Sequence, residues 1–329
     1  MKKTSLFSKK NLIRVILIVA SYVLLTVLLR AGILNRQYTS LIVPIMINII
    51  LAVSLNLVTG FLGELSLGHA CFMSVGAYTS ALITLNAPAW GLPNGVAFAI
   101  ALLLGGIVAG IFGILIGIPV LRLHGDYLAI VTLAFGEIIK SVLNALSFTN
   151  GAKGLSKIPT YSNAQHYTLV FVLTMITIIV ICNIVDSKHG RAICSIRDNY
   201  IAAESVGVNV SKFKVMAFAI GAFFAGIAGV IYAHNVSIIK PTTFDYNKSI
   251  EILVIVVLGG MGSIKGSVIA AVVLTILPEM LRGIADYRML IYAVVLIAIM
   301  IFNESGLKGN IYENIGKKLK KSNKETAVK

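Results

Sequence analysis

The chain has 329 residues, of which 57% are hydrophobic and only 12% charged, and its mean hydropathy is +0.92. Soluble domains carry about a quarter charged residues, so the composition excludes a disordered chain and an ordinary water-soluble fold. The formal charge of +15, from 28 Lys+Arg against 13 Asp+Glu, would suit nucleic acid only if a soluble domain displayed a basic face. No such domain is visible, and the surplus reads instead as an orientation signal in a membrane.

Ten apolar segments follow one another, at roughly 12–29, 41–58, 69–86, 96–118, 127–146, 167–185, 215–235, 249–258, 267–281 and 288–303. A helix needs about 20 residues to cross the hydrocarbon core. Most segments meet that length, while the eighth and ninth fall short and read as half-helices or tilted ones. The expectation is an all-α polytopic membrane protein of about ten transmembrane helices, some short or broken, in one domain over 1–329. The first apolar run, behind Lys2 and Lys3, reads as a span rather than a cleaved leader, because no small-residue cleavage site follows.

Alternating the spans from a cytoplasmic N-terminus (1–11) puts 19 basic residues in inner segments and 8 in outer ones, with Lys140 inside a span. That bias predicts both termini in the cytoplasm. The lysine-rich tail, 304–329, would lie against anionic headgroups. Cys71, Cys182 and Cys194 are odd in number and widely spaced, which suits packing rather than a metal or a disulfide.

Two glycine-rich stretches interrupt the spans: Gly60-Phe61-Leu62-Gly63-Glu64-Leu65-Ser66-Leu67-Gly68-His69, and Gly259-Gly260-Met261-Gly262-Ser263-Ile264-Lys265-Gly266. Unwound backbone at membrane depth must face protein or a water-filled cavity, and transporters present such breaks to their substrates. Short turns between spans, or close helix packing through small residues, are the alternative. A phosphate loop is excluded, because GxxxxGK[ST] occurs nowhere and neither stretch joins a strand to a helix. The breaks hint at two halves of five spans in imperfect register.

Between the fourth and fifth spans, Asp126 stands where an N-cap would start a helix, and His124 reads as a solvated loop residue. In the fifth span, Glu137 and Lys140 are three residues apart and share a helix face. Mutual neutralisation is the plain reading; intramembrane ionisable groups also make the pair a candidate for the translocation path.

The longest internal polar segment, 186–214, contains Ser195–Gly207, which reads as one short amphipathic helix. Ile196, Tyr200 and Ala203 fall on one face, Asp198 suits the N-cap and Gly207 the C-terminal stop. A helix this short is marginal alone and needs a surface: the membrane, its own bundle or another protein.

The Ala202-Ala203-Glu204 run with Gly207 resembles the coupling loop of ABC importer permeases, although Ile201 precedes the alanines where the family carries glutamate. Three further stretches are similar to LivM-type branched-chain amino-acid permeases. They are Gly63-Glu64-Leu65-Ser66-Leu67-Gly68-His69-Ala70, then Gly125-Asp126-Tyr127-Leu128-Ala129-Ile130-Val131-Thr132-Leu133-Ala134-Phe135-Gly136-Glu137-Ile138-Ile139, then Val257-Leu258-Gly259-Gly260-Met261-Gly262-Ser263, with Pro278-Glu279 in the same pattern. The resemblance spans about 41–302.

The resemblance implies an ABC importer fold and a pore shared with a LivH-like sister permease. Two LivG/LivF-like ATPase subunits would supply ATP and Mg, and an extracytoplasmic binding protein would deliver leucine, isoleucine or valine. No cofactor, catalytic residue, metal or nucleic acid is expected of this chain. Arg197, Ala202, Ala203, Glu204 and Gly207 would form the ATPase-coupling loop. Gly63, Ser66, Gly68, Gly260 and Ser263 would offer backbone donors to a substrate carboxylate, Tyr127 and Phe135 an apolar wall, and Glu137 a charge on the path. The rivals are a related permease for urea, amides or nucleosides, and a stand-alone secondary transporter.

Overall fold

The computed structural model describes residues 36–120, 125–162 and 167–281, with isolated helical positions at 20–27 and 287–301. The expected first and last spans are therefore seen only at single positions, and His124 and the lysine-rich tail lie outside the described residues. Ten helices carry the described fold. They are α1 (Arg36–Asn56), α2 (His69–Asn86), α3 (Asn94–Val120), α4 (Asp126–Ala145), α5 (Tyr167–Asp186), α6 (Lys188–Asp198), α7 (Tyr200–Ser205), α8 (Val210–Val236), α9 (Tyr246–Gly259) and α10 (Ile264–Met280). A lone antiparallel bridge, Leu155 to Ile239, is the extended pairing among the described residues.

Among the described residues, five stretches are long and apolar enough to cross a membrane: Tyr38–Phe61, Asn94–Pro119, Tyr127–Ala145, Tyr167–Asp186 and Val210–Val236. The expected shortness of the eighth and ninth segments holds, since α9 has 14 residues and α10 has 17. At 1.5 Å per residue α9 is about 21 Å long, less than a hydrocarbon core of about 30 Å.

α8 is the central helix. Glycine and alanine on α2, α3 and α8 let these three backbones close up, the device by which helices associate where lipid removes the hydrophobic drive. Gly76 meets the backbone of Gly226, Gly229 meets the carbonyl of Met73, and a Cβ on Gly113 would stand 2.6 Å from that of Ala222. The faces turned away from this core are apolar and exposed, as at Leu103, Ile107 and Ile111 of α3 and Val172, Ile176 and Ile179 of α5.

The two ends of the bundle differ. At one, the loop after α4 joins the loop after α8: Leu155 N–H bonds to Ile239 O at 3.0 Å and Ile158 N–H to Ser237 O at 3.2 Å. At the other, α6 packs against α8 and the turn that ends α1, and α7 packs against α8.

Two expectations need correction here. The helix after Gly125 is not capped by Asp126, which is its first residue; Gly125 holds the cap position at φ +63°. Nor is Ser195–Gly207 a single helix. The backbone extends at Asn199 (φ −163°, ψ 106°), and the Asn199 side chain accepts the Ala202 N–H at 3.0 Å, capping α7. Asp198, expected as that cap, closes α6 and pairs with Arg197 instead. Short polar side chains offer backbone amides an alternative to the helix ladder, and Asn199 does so one residue before the aromatic that periodicity placed mid-helix.

Candidate functional site: the junction of the two helix breaks

The first break begins where α1 ends, as the helix runs on for one more turn. That turn widens to a π-helix over Leu57–Phe61, so that Leu62 N–H reaches Leu57 O and Glu64 N–H reaches Val58 O, both at 3.2 Å. Such π turns cluster at functional positions in helices. The chain then leaves helical geometry over Leu62–Gly68, with Gly63 at φ +81°.

This irregular segment is mostly buried and runs back into the bundle. At its start, Gly60 touches the backbone of Gly262, beyond the C-terminus of α9. At its finish, Ala70 N–H bonds to Ser249 Oγ at 3.1 Å, in the first turn of α9. Ser249 and Gly259 are ten residues apart on α9, so the segment climbs roughly 15 Å along that helix. On the way Leu67 N–H bonds to Thr132 Oγ1 at 3.0 Å, which ties it to α4.

The charge in this segment is paired. Glu64 and Lys214, in the second turn of α8, form a buried ion pair. Removing one member of such a pair strands the other in low dielectric. Ser66 Oγ and Thr59 Oγ1 are buried without a hydrogen-bond partner. Farther along, His69 Nε2 lies 2.9 Å from Ser54 Oγ.

The second break is a tight turn. Gly260 (φ +89°) and Gly262 (φ +79°) have the left-handed backbone that glycine supplies without strain. Ser263 Oγ accepts the Gly266 N–H at 3.2 Å and so caps α10. Gly259 and Gly266 press backbone to backbone across the turn.

The breaks are stitched together from α1. Asn56 Oδ1 accepts the Gly262 N–H at 2.9 Å, and its Nδ2 donates to Ser267 Oγ at 2.9 Å. Arg197 reaches the same point from α6, donating from Nη1 to Gly60 O at 3.2 Å.

The structure thus brings Gly63 and Arg197 to one junction with Gly262, while Gly260, two residues earlier in the same turn, touches neither. It sends Ser66 and Gly68 up the bundle to α4, where a Cβ on Gly68 would stand 2.5 Å from Thr132 O. Ser263 spends its hydroxyl on a helix cap. Tyr127 lies apart, 70% exposed on the outer face of α4. Phe135 packs against Phe112, ring centroids 6.4 Å apart. Glu137 and Lys140 form the expected pair, Nζ to Oε2 at 3.0 Å, and both are partly exposed. Their helix also exposes Ile130, Ile138 and Val142.

On the loop, Ile193, Ile196 and Ala203 are buried against the bundle, whereas Tyr200 is exposed, contrary to the single-face reading. Arg197, Ala202 and Glu204 are exposed, with Ile201 and Val206. Gly207 ends α7 at φ +87°, its N–H bonding to Glu204 O and that of Val208 to Ala203 O, both at 3.0 Å. This pair of bonds is the Schellman motif. Burial raises the Cys194 thiol pKa, with Arg197 pulling it back and Asp198 raising it.

Sequence reasoning missed Asn56, Glu64 as a charge, and Lys214. Each looks ordinary alone; Lys214 counts as one more inner-loop cation until folding buries it.

The family described as "Branched-chain amino acid transport system / permease component" matches residues 37–302. The high-affinity branched-chain amino acid transport system permease protein LivM of Salmonella typhimurium is 36% identical over 294 residues, covering 80% of this chain and 68% of its own. LivM of Escherichia coli gives the same figures. LivH of Escherichia coli, a permease protein of the same kind of system, is 23% identical over 281 residues, covering 79% of this chain and 90% of its own. No solved structure matches this chain.

Proposed function

This chain belongs to the family of branched-chain amino acid transport permease components, and we propose on that premise that it is one of two permease subunits of an ATP-driven importer of leucine, isoleucine and valine. The observation that carries the reading is the α6–α7 element. It is anchored on the bundle by Ile193, Ile196 and Ala203, and it holds Tyr200, Ile201 and Val206 outward where a partner would cover them.

In this reading the α6–α7 end faces the cytoplasm, as the distribution of lysine and arginine supports, and both termini lie on that side. An ABC ATPase docks on α7. A sister permease completes the path, facing α4, since a partly exposed Glu137–Lys140 pair is costly against lipid and acceptable against protein or water. A binding protein delivers the amino acid to the opposite end, where 147–162 meets 237–245. ATP-driven closure of the ATPases pulls on α7, and the bundle passes that motion to one end of the pore. Ser66, buried and unpartnered at the foot of α2, is the polar group best suited to a substrate or an ordered water.

The test is competition for labelled leucine uptake by cells expressing the complete system. Isoleucine and valine are expected to compete, and urea and nucleosides to be inert. Competition by urea or nucleosides and none by valine would overturn the substrate assignment.

A further inference from the structure

Three features meet at the junction and ask for a common explanation. Gly60 O lacks a helical donor, because the π turn hands Glu64 N–H to Val58 O. Gly63 and Gly262 both have positive φ. Arg197 fills the space all three leave. Its Nη1 donates to Gly60 O at 3.2 Å, while its Nε and Nη2 donate to Asp198 Oδ1 at 3.1 and 2.9 Å. A Cβ on Gly63 would stand 2.6 Å from the arginine Cγ, and one on Gly262 would stand 3.4 Å from Nη1. The side chain therefore lies against backbone from both breaks on one side and stays open to solvent on the other.

We propose that Arg197 transmits movement of the α6–α7 element to the junction of the two helix breaks, acting as a positioning residue for transport. This inference rests on the importer reading. A planar guanidinium serves acceptors in two directions from one rigid fork, which an ammonium does not. Asp198 holds one edge of the fork and Gly60 takes the other, so a shift of α6 drags the last turn of α1. Through Asn56, that turn is bonded to Gly262, and the second break moves with the first. Loosening Arg197 leaves the ATPase docking face on α7 untouched and cuts its link to the pore.

The test uses the complete importer in proteoliposomes, with R197M and R197K beside the wild type. Three quantities are measured: ATPase co-purification, ATP hydrolysis, and leucine uptake per ATP hydrolysed. In R197M the ATPase is retained and hydrolysis stays within about twofold, while uptake per ATP falls roughly tenfold, a usual size for coupling between sites. R197K, which keeps the charge but not the fork, falls between the two. Unchanged uptake per ATP in R197M overturns the proposal. So does loss of the ATPase from R197M, because Arg197 would then be a docking contact. A wild-type assembly with no ATP-dependent uptake overturns the importer reading itself, and this proposal with it.

Discussion

The two glycine-rich breaks look alike in sequence and differ in the fold. The first is a long irregular segment that re-enters the bundle, buries Glu64 against Lys214 and leaves Ser66 without a partner. The second is a turn whose glycines reverse the chain and whose one serine side chain caps a helix. Glycine content marks where a membrane helix stops. The polar residues between the glycines decide whether the stop lines the interior or merely turns round.

The sharpest way to break this contrast is to remove a charge from the first break. Glu64→Gln leaves Lys214 buried and unpaired, which costs about 3–5 kcal/mol. The expected outcome is a large fall in the thermal stability of the detergent-solubilised protein, measured by light scattering on heating. A Glu64→Gln, Lys214→Met double variant should recover part of it. Equal stability of Glu64→Gln and wild type would show the pair is not buried in the membrane-embedded state.

Paired glycine substitutions come next in size. Gly68 has φ −101°, so it tolerates a side chain conformationally but has Thr132 O in the way. Gly260 is the reverse, with positive φ and its nearest obstacle, Ser263 Cβ, 3.9 Å off. Gly68→Ala should therefore cost more than Gly260→Ala, which pays only the backbone strain of a sparsely populated positive-φ conformation (φ 89°, ψ 114°), about 1–3 kcal/mol. The same melting assay ranks them, and the opposite order would mean that α4 does not lie against the first break.

Gly207→Val probes α7, the proposed coupling element, without touching either break. A valine Cβ there meets nothing within 4 Å, so its effect is backbone strain at the Schellman stop. Membrane insertion should persist and binding-protein-stimulated ATP hydrolysis should fall severalfold. Unchanged stimulation would remove α7 from the coupling path. The smallest effect concerns Cys194. With its thiol pKa raised by burial, it holds less thiolate at pH 8 than an exposed cysteine. Maleimide should label it more slowly than a cysteine placed at Ser205, and raising the pH should narrow the gap. Equal rates at pH 8 would contradict the packing of α6.

Much of this was legible before folding. Long apolar runs are a one-dimensional signal, so segments such as 69–86 and 167–185 agree with α2 and α5 to within a residue. The stop at Gly207 was legible because the left-handed turn needs glycine locally. The split at Asn199 was not, since an asparagine that caps and one that lies mid-helix have the same neighbours. The Glu64–Lys214 pair and the Asn56–Gly262 bond were hidden for a different reason. Their partners are far apart along the chain, and only folding sets the end of α1 and the segment after it against the start of α8 and the α9–α10 turn.

The importer reading requires that this chain move its substrate only as part of an ATP-driven assembly. The direct measurement is labelled leucine uptake into proteoliposomes holding either the isolated chain or the full set of permeases, ATPases and binding protein. The expected result is vanadate-sensitive, ATP-dependent uptake by the full set and none by the chain alone, with or without a proton gradient. Gradient-driven accumulation by the isolated chain would contradict it.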